Sequence, residues 1–180
     1  MVVRFGVFEW YFIHLLDSYP TFVMYVVAAY TLAALAWGMV KGWRQAWRLL
    51  ALGYGVLLLY VTVFSRPSNC EMAYNLCPFS SYVQIGNGDG YLLPQAIMNV
   101  VVFVPVGFLV RVVFKEWSMG EIVACGAMFS VVIETLQLVL LKGTAELDDV
   151  IHNTLGCFIG IVVYKLLCSC KSLTNTFFNL

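Results

Sequence analysis

Apolar residues gather in five long runs, at about Pro20–Val40, Ala46–Phe64, Gln95–Phe114, Met119–Leu141 and Asp149–Cys168. Each is close to the ~20 residues a helix needs to cross a hydrocarbon layer of ~30 Å. The pattern predicts an all-α fold, a polytopic transmembrane bundle of about five spans. Phe5–Leu16 is apolar and aromatic but too short to span. It reads as an interfacial helix, with a sixth, tilted span as the alternative. The chain then divides into an interfacial segment (1–19), a transmembrane domain (20–168) and a tail (169–180). The N-terminal stretch is not read as a signal peptide, because Glu9 and Asp17 accompany Arg4. Ala34-Leu35-Ala36 mimics a cleavage site but lies inside the first run.

Composition agrees with the pattern. Apolar residues make up 62% of the 180 positions and charged residues only 11%. Mean hydropathy is +0.87. A soluble domain carries roughly 25% charge and has too little interior for this much apolar surface. Disorder is excluded on the same grounds. Ten basic residues balance ten acidic ones, which excludes general nucleic-acid binding.

Lys and Arg predict the orientation. With the first connection in the cytoplasm, Lys41, Arg44, Arg48, Arg111, Lys115, Lys165 and Lys171 lie inside, against Arg4, Arg66 and Lys142 outside. The N-terminus is then outside and the C-terminus cytoplasmic. The longest loop, 65–94, faces outward and holds three prolines and a Gly86-Asn87-Gly88-Asp89-Gly90 turn cluster. Such a loop either carries function or merely connects. Cys70 and Cys77 in that loop are candidates for a disulfide in an oxidising exterior. Cys125 and Cys157 read as small apolar residues within spans. No His–Cys spacing supports a metal site, and no cofactor motif is present.

Few polar groups interrupt the runs, and their depths agree. Glu134 and Gln137 share a face of span four, about 10 Å and 6 Å below its outer end. Asn99 lies about one turn into span three. Asp148 and Asp149 begin span five, with Asn153 one turn below Asp149. Arg66 caps span two. Polar groups from four helices therefore aim at one depth near the outer surface. Three purposes suit them: holding a polar head group or peptide end, holding a hard cation, or joining helices by buried hydrogen bonds. Glu134 needs a partner or a proton at that depth, and Arg66 is the first candidate, Lys142 the second. Asp148 and Asp149 also suit a helix N-terminus. Gly156 and Gly160 form a small-x-x-x-small packing face. Pro105 and Gly107 are expected to bend or loosen span three. Neither His14 nor His152 has a companion at metal-ligand spacing.

Taken together, Asn99-Val-Val-Val-Phe-Val-Pro105-Val-Gly107, Glu134-Thr-Leu-Gln137 and Glu146-Leu-Asp148-Asp149-Val-Ile-His-Asn153-Thr-Leu-Gly156 resemble the VanZ-like family of bacterial membrane proteins. Arg66 and Asn75-Leu76-Cys-Pro78-Phe79 look like that family's upstream elements. The likeness runs from about Phe64 to Tyr164. It departs after Gly143, where the family often has Arg and this chain has Thr144, next to Lys142. The resemblance implies a multi-pass protein of the bacterial cell membrane. It also implies an association with resistance to teicoplanin, a lipoglycopeptide.

Arg66, Asn75, Asn99, Glu134, Gln137, Asp148, Asp149 and Asn153 are accordingly the candidate binding residues. One reading is a non-enzymatic protein that binds an amphiphile at its outer face: membrane lipid, the antibiotic, or a lipid-linked wall precursor. The alternative is an intramembrane enzyme on such a lipid, with Glu134 as acid or base. No Ser–His pairing or phosphate-binding glycine loop supports the enzyme. A transporter would need repeats that five spans do not show.

Overall fold

A computed structural model describes residues 21–89 and 92–169. The expected interfacial segment and most of the tail lie outside these residues. The five spans are helices α1 (Thr21–Lys41), α2 (Trp43–Leu59), α4 (Leu92–Val113), α5 (Met119–Val139) and α6 (Leu147–Ser169). A π-helical turn, Tyr60–Phe64, prolongs α2, and the Ser65 N–H closes it on the Tyr60 carbonyl at 2.9 Å. All five are long and apolar enough to cross a membrane. The molecule is a multi-pass membrane bundle.

The expected limits hold to within a few residues, with two useful differences. The third span begins at Leu92 rather than Gln95, so Asn99 lies about two turns deep, not one. The connection 65–94 is not bare loop. It holds strand β1 (Ala73–Asn75) and helix α3 (Ser80–Gly86), and β1 pairs in parallel with β2 (Thr144–Glu146). The bundle is otherwise all-α.

The tightest packing joins α4 and α6, and glycines make it. A Cβ on Gly156 would land on the Val100 carbonyl oxygen and 2.9 Å from Phe103 Cβ. One on Gly160 would clash with the Val104 carbonyl oxygen. Gly107 meets the Cys157 carbonyl in the same way, so α4 uses this glycine for contact and continues as helix through Pro105. Around the seam lies a core of Val63, Phe103, Ile122, Ile133, Cys157 and Ile161. Helix α5 packs on α6, α2 on α4, and α1 on α2. Many large apolar side chains remain exposed, including Val26, Leu52, Val101, Val131 and Leu155. That is the expected surface of a protein whose solvent is lipid.

At one end, here the loop end, the long connection folds back onto the turn between α5 and α6. Leu141 and Gly143 take positive φ values of 55° and 93°. Asn69 clamps this turn: its N–H reaches the Leu141 carbonyl at 2.7 Å and its Nδ2 the Gly143 carbonyl at 2.6 Å. Lys142 Nζ donates back to the Arg66 carbonyl at 2.9 Å.

Candidate functional site

The loop end gathers the polar residues of the spans. At 1.5 Å per residue, Gln137 and Asp149 lie about 3 Å from the ends of their helices and Glu134, Asn153 and Asn99 about 7–11 Å. Glu134, Gln137, Asp149 and Asn153 are all buried, between 1 and 7% exposed.

Glu134 does not find its hydrogen bond where the sequence suggested. Its carboxylate accepts the Glu146 N–H at 2.9 Å, from the strand that follows its own helix. Arg66 acts on it through charge, and also on Glu146 and Asp149. Lys142 spends its ammonium on the Arg66 carbonyl. Arg66 also packs against Gly143, where a Cβ would stand 2.9 Å from its guanidinium nitrogen. The Glu134, Glu146 and Asp149 carboxylates also feel one another. Burial pushes the Glu146 carboxyl above its ordinary value, the Asp148 charge adds to this, and Arg66 opposes it.

Two of the three amides are half used. Gln137 Nε2 donates to the Thr62 carbonyl at 2.9 Å, joining α5 to the π turn, while its Oε1 is buried without a partner among the described residues. Asn153 Nδ2 donates to Ser130 Oγ at 2.8 Å, joining α6 to α5, and its Oδ1 is likewise unpartnered. Asn99 lies near enough to interact with Asp149, yet its Nδ2 meets no acceptor at hydrogen-bond geometry.

Asp148 and Asn75 serve the loop instead. Asp148 takes the Phe79 N–H at 2.5 Å and the Ser81 N–H at 2.9 Å, with Ser80 Oγ at 3.5 Å. It therefore caps α3, a helix remote in sequence, rather than only its own. Phe79 is held in a left-handed conformation, φ 61°, that a bulky residue seldom adopts. Asn75 Nδ2 donates to Ser80 Oγ at 2.7 Å and its Oδ1 accepts the Cys77 N–H at 3.2 Å. Asn75 thus shapes the approach to α3. Cys70 and Cys77 are exposed free thiols.

Three contributors were missed from sequence. His152 Nε2 and the Tyr82 hydroxyl are 2.7 Å apart, tying α3 to α6. Ser130 receives Asn153, one turn below Glu134. Glu146 supplies both an N–H and a carboxylate, and its place in the Glu-Leu-Asp-Asp run was the available signal. Among the described residues, no group of three His, Cys, Asp or Glu side chains is arranged to hold a metal ion.

Fold and site together define a five-span membrane protein with a buried polar cluster at one end, roofed by its longest connection. The chain belongs to the VanZ/LLP1 family, whose model matches residues 51–168. It is 33% identical over 125 residues to Protein VanZ of Enterococcus faecium, covering 66% of this chain and 72% of that protein. No solved structure matches it.

Proposed function

We propose that this protein lowers susceptibility to lipoglycopeptide antibiotics of the teicoplanin type by binding an amphiphile at the loop end. The ligand is the drug's own acyl chain and sugars, or the lipid-linked wall precursor such drugs seek. We infer the orientation from the Lys and Arg distribution: loop end outward, N-terminus outside, C-terminus in the cytoplasm of the bacterial cell.

The observation that carries this reading is that Asn99, Glu134, Gln137, Asp149 and Asn153 all lie within about 11 Å of the loop ends of α4, α5 and α6, with Arg66 just beyond the π turn of α2. Several of these groups retain unused hydrogen-bonding capacity. Elsewhere in the bundle, α1, α2 and α4 border an apolar groove of about 600 Å³, lined among others by Val27, Tyr30, Leu50, Tyr60 and Leu109. That volume lies within the usual range for small-molecule sites. Tyr60 opens the π turn that leads to Thr62, the partner of Gln137, and on to Arg66. Such turns recur at functional sites. An acyl chain fits the groove, and a polar head fits the cluster.

One observation favours a second reading. Glu134 is buried near two further carboxylates and a guanidinium, a setting suited to proton transfer in an intramembrane enzyme.

The test uses an isogenic host expressing wild type, Glu134→Gln, Asp149→Asn and Asn153→Ala at matched membrane levels. Inhibitory concentrations of teicoplanin and vancomycin are measured for each. Wild type should raise the teicoplanin value selectively, and the three variants should lose that effect. An unchanged value with wild type would refute the proposal. Protection accompanied by a wild-type-dependent change in envelope lipid masses, absent in Glu134→Gln, would favour the enzyme.

A further inference from the structure

The connection between α2 and α4 carries an apolar surface that the polar cluster does not use. None of residues 72–83 is charged. Tyr74 in β1, Met72 and Leu76 on either side of it, and Phe79 and Val83 around α3 are turned to the exterior. All five are between 58 and 66% exposed, and Tyr82 is 49% exposed. In water this would be an unusual concentration of bare apolar side chains.

Three ties fix how far this segment stands from the membrane. Strand β1 pairs with β2, and β2 ends one residue before α6 begins. The Phe79 and Ser81 N–H groups bond to Asp148, the second residue of that span. The Tyr82 hydroxyl reaches His152, five residues and about 8 Å into the span. A segment bonded to the first turns of a membrane helix is held at the level of that helix's end. Its bare face lies level with the ends of the spans, where Phe64 at the end of the π turn is also 57% exposed.

We propose that residues 72–83 form an interfacial element, with Met72, Tyr74, Leu76, Phe79 and Val83 lying in the boundary between lipid head groups and acyl chains. The partner is the bilayer itself. Amphipathic segments with aromatic and aliphatic residues on one face bury that face about 5–10 Å into this boundary, and Tyr side chains favour the same depth. The turn cluster that follows, with Asn87 and Asp89, rises into water. The element thus roofs the polar cluster from within the interface. This rests on the membrane fold alone and not on the antibiotic reading.

The test uses the full chain in phosphatidylcholine–phosphatidylglycerol vesicles containing a phosphatidylcholine with a diazirine near its glycerol. After irradiation, mass spectrometry should find lipid adducts on residues 72–83 as well as on the span ends. Adducts on the span ends with none on 72–83 would overturn the proposal. A second measurement places a spin label at Val83→Cys or Asn87→Cys, each with Cys70 and Cys77 replaced by serine. Position 83 should be more accessible to oxygen than to a water-soluble nickel complex, and position 87 the reverse. Greater access for nickel at both positions would equally overturn it.

Discussion

Gly156→Ala adds one methyl group at the tightest contact in the bundle. The new Cβ would fall deep inside contact distance of the Val100 carbonyl oxygen and stand 2.9 Å from Phe103 Cβ and 3.0 Å from the Val100 carbonyl carbon. Ordinary carbon contacts are about 3.5–4.0 Å. Every atom it meets is backbone or Cβ, so no side chain can swing aside. Helices α4 and α6 must separate by roughly 1 Å, forfeiting contacts along the seam. Overpacking of this kind costs up to about 3 kcal/mol. Alanine's better helix propensity returns at most about 1 kcal/mol. The expected net loss is about 2 kcal/mol, or roughly 30-fold in the folding equilibrium.

The control is Gly55→Ala in α2, where a Cβ would meet nothing within 4 Å. There only the propensity term remains, so this variant should match wild type or gain up to about 1 kcal/mol. Both are read by equilibrium unfolding of the purified protein in detergent with increasing sodium dodecyl sulfate. Gly156→Ala must lose stability while Gly55→Ala must not. If Gly156→Ala unfolds together with wild type and Gly55→Ala, the α4–α6 seam is not closed as described. The separation should also cost function, because α4 carries Asn99 while α6 carries Asp149 and Asn153.

Asp148→Ala strips the acceptors from the Phe79 and Ser81 N–H groups, at about 1–3 kcal/mol for each donor left unsatisfied. Amide exchange in residues 79–86 should accelerate far more than in α5, and uniform acceleration would count against the capping role. Gln137→Leu removes one interhelical hydrogen bond to the Thr62 carbonyl, worth on average about 0.6 kcal/mol in a membrane. It should leave unfolding almost unchanged while lowering any teicoplanin protection, and a large loss of stability would assign Gln137 to helix joining alone. Asn87→Cys should react with an impermeant thiol reagent in whole cells when Cys70 and Cys77 are replaced by serine. Reaction only after lysis would reverse the proposed orientation.

The spans were legible because a membrane helix announces itself over some twenty residues, and the glycine seam because Gly156 and Gly160 recur four apart. The roof was not legible. Strands of three residues are too short to show a period of two, and β1 and β2 are some seventy positions apart. The π turn has no sequence signature of its own. His152 was set aside because it lacks a metal-ligand companion, but its partner is Tyr82, on an element whose place only the tertiary fold decides. Glu134 shows the same limit. Opposite charge pointed to Arg66, but the nearer solution was a backbone N–H from the turn after its own helix. Side-chain chemistry is visible in a sequence; the backbone donors that long-range folding delivers are not.

The half-used amides separate two demands on one cluster. If Gln137 and Asn153 served only to join helices, one donor each would suffice, and their bonds to Thr62 and Ser130 already supply it. Yet each carries an acceptor oxygen that is buried and unpartnered among the described residues, as is the Asn99 donor. A buried polar atom left so costs about 1–3 kcal/mol unless water or another molecule takes it. Helix joining therefore accounts for one end of each amide and leaves the other unexplained. All three open atoms belong to the same ring of helices as Glu134 and Asp149. The arrangement ties the Gln137 and Asn153 donors into the fold and leaves two acceptors and the Asn99 donor open in the site. Replacements that preserve the first while removing the second are therefore the ones that distinguish a binding cluster from a packing device.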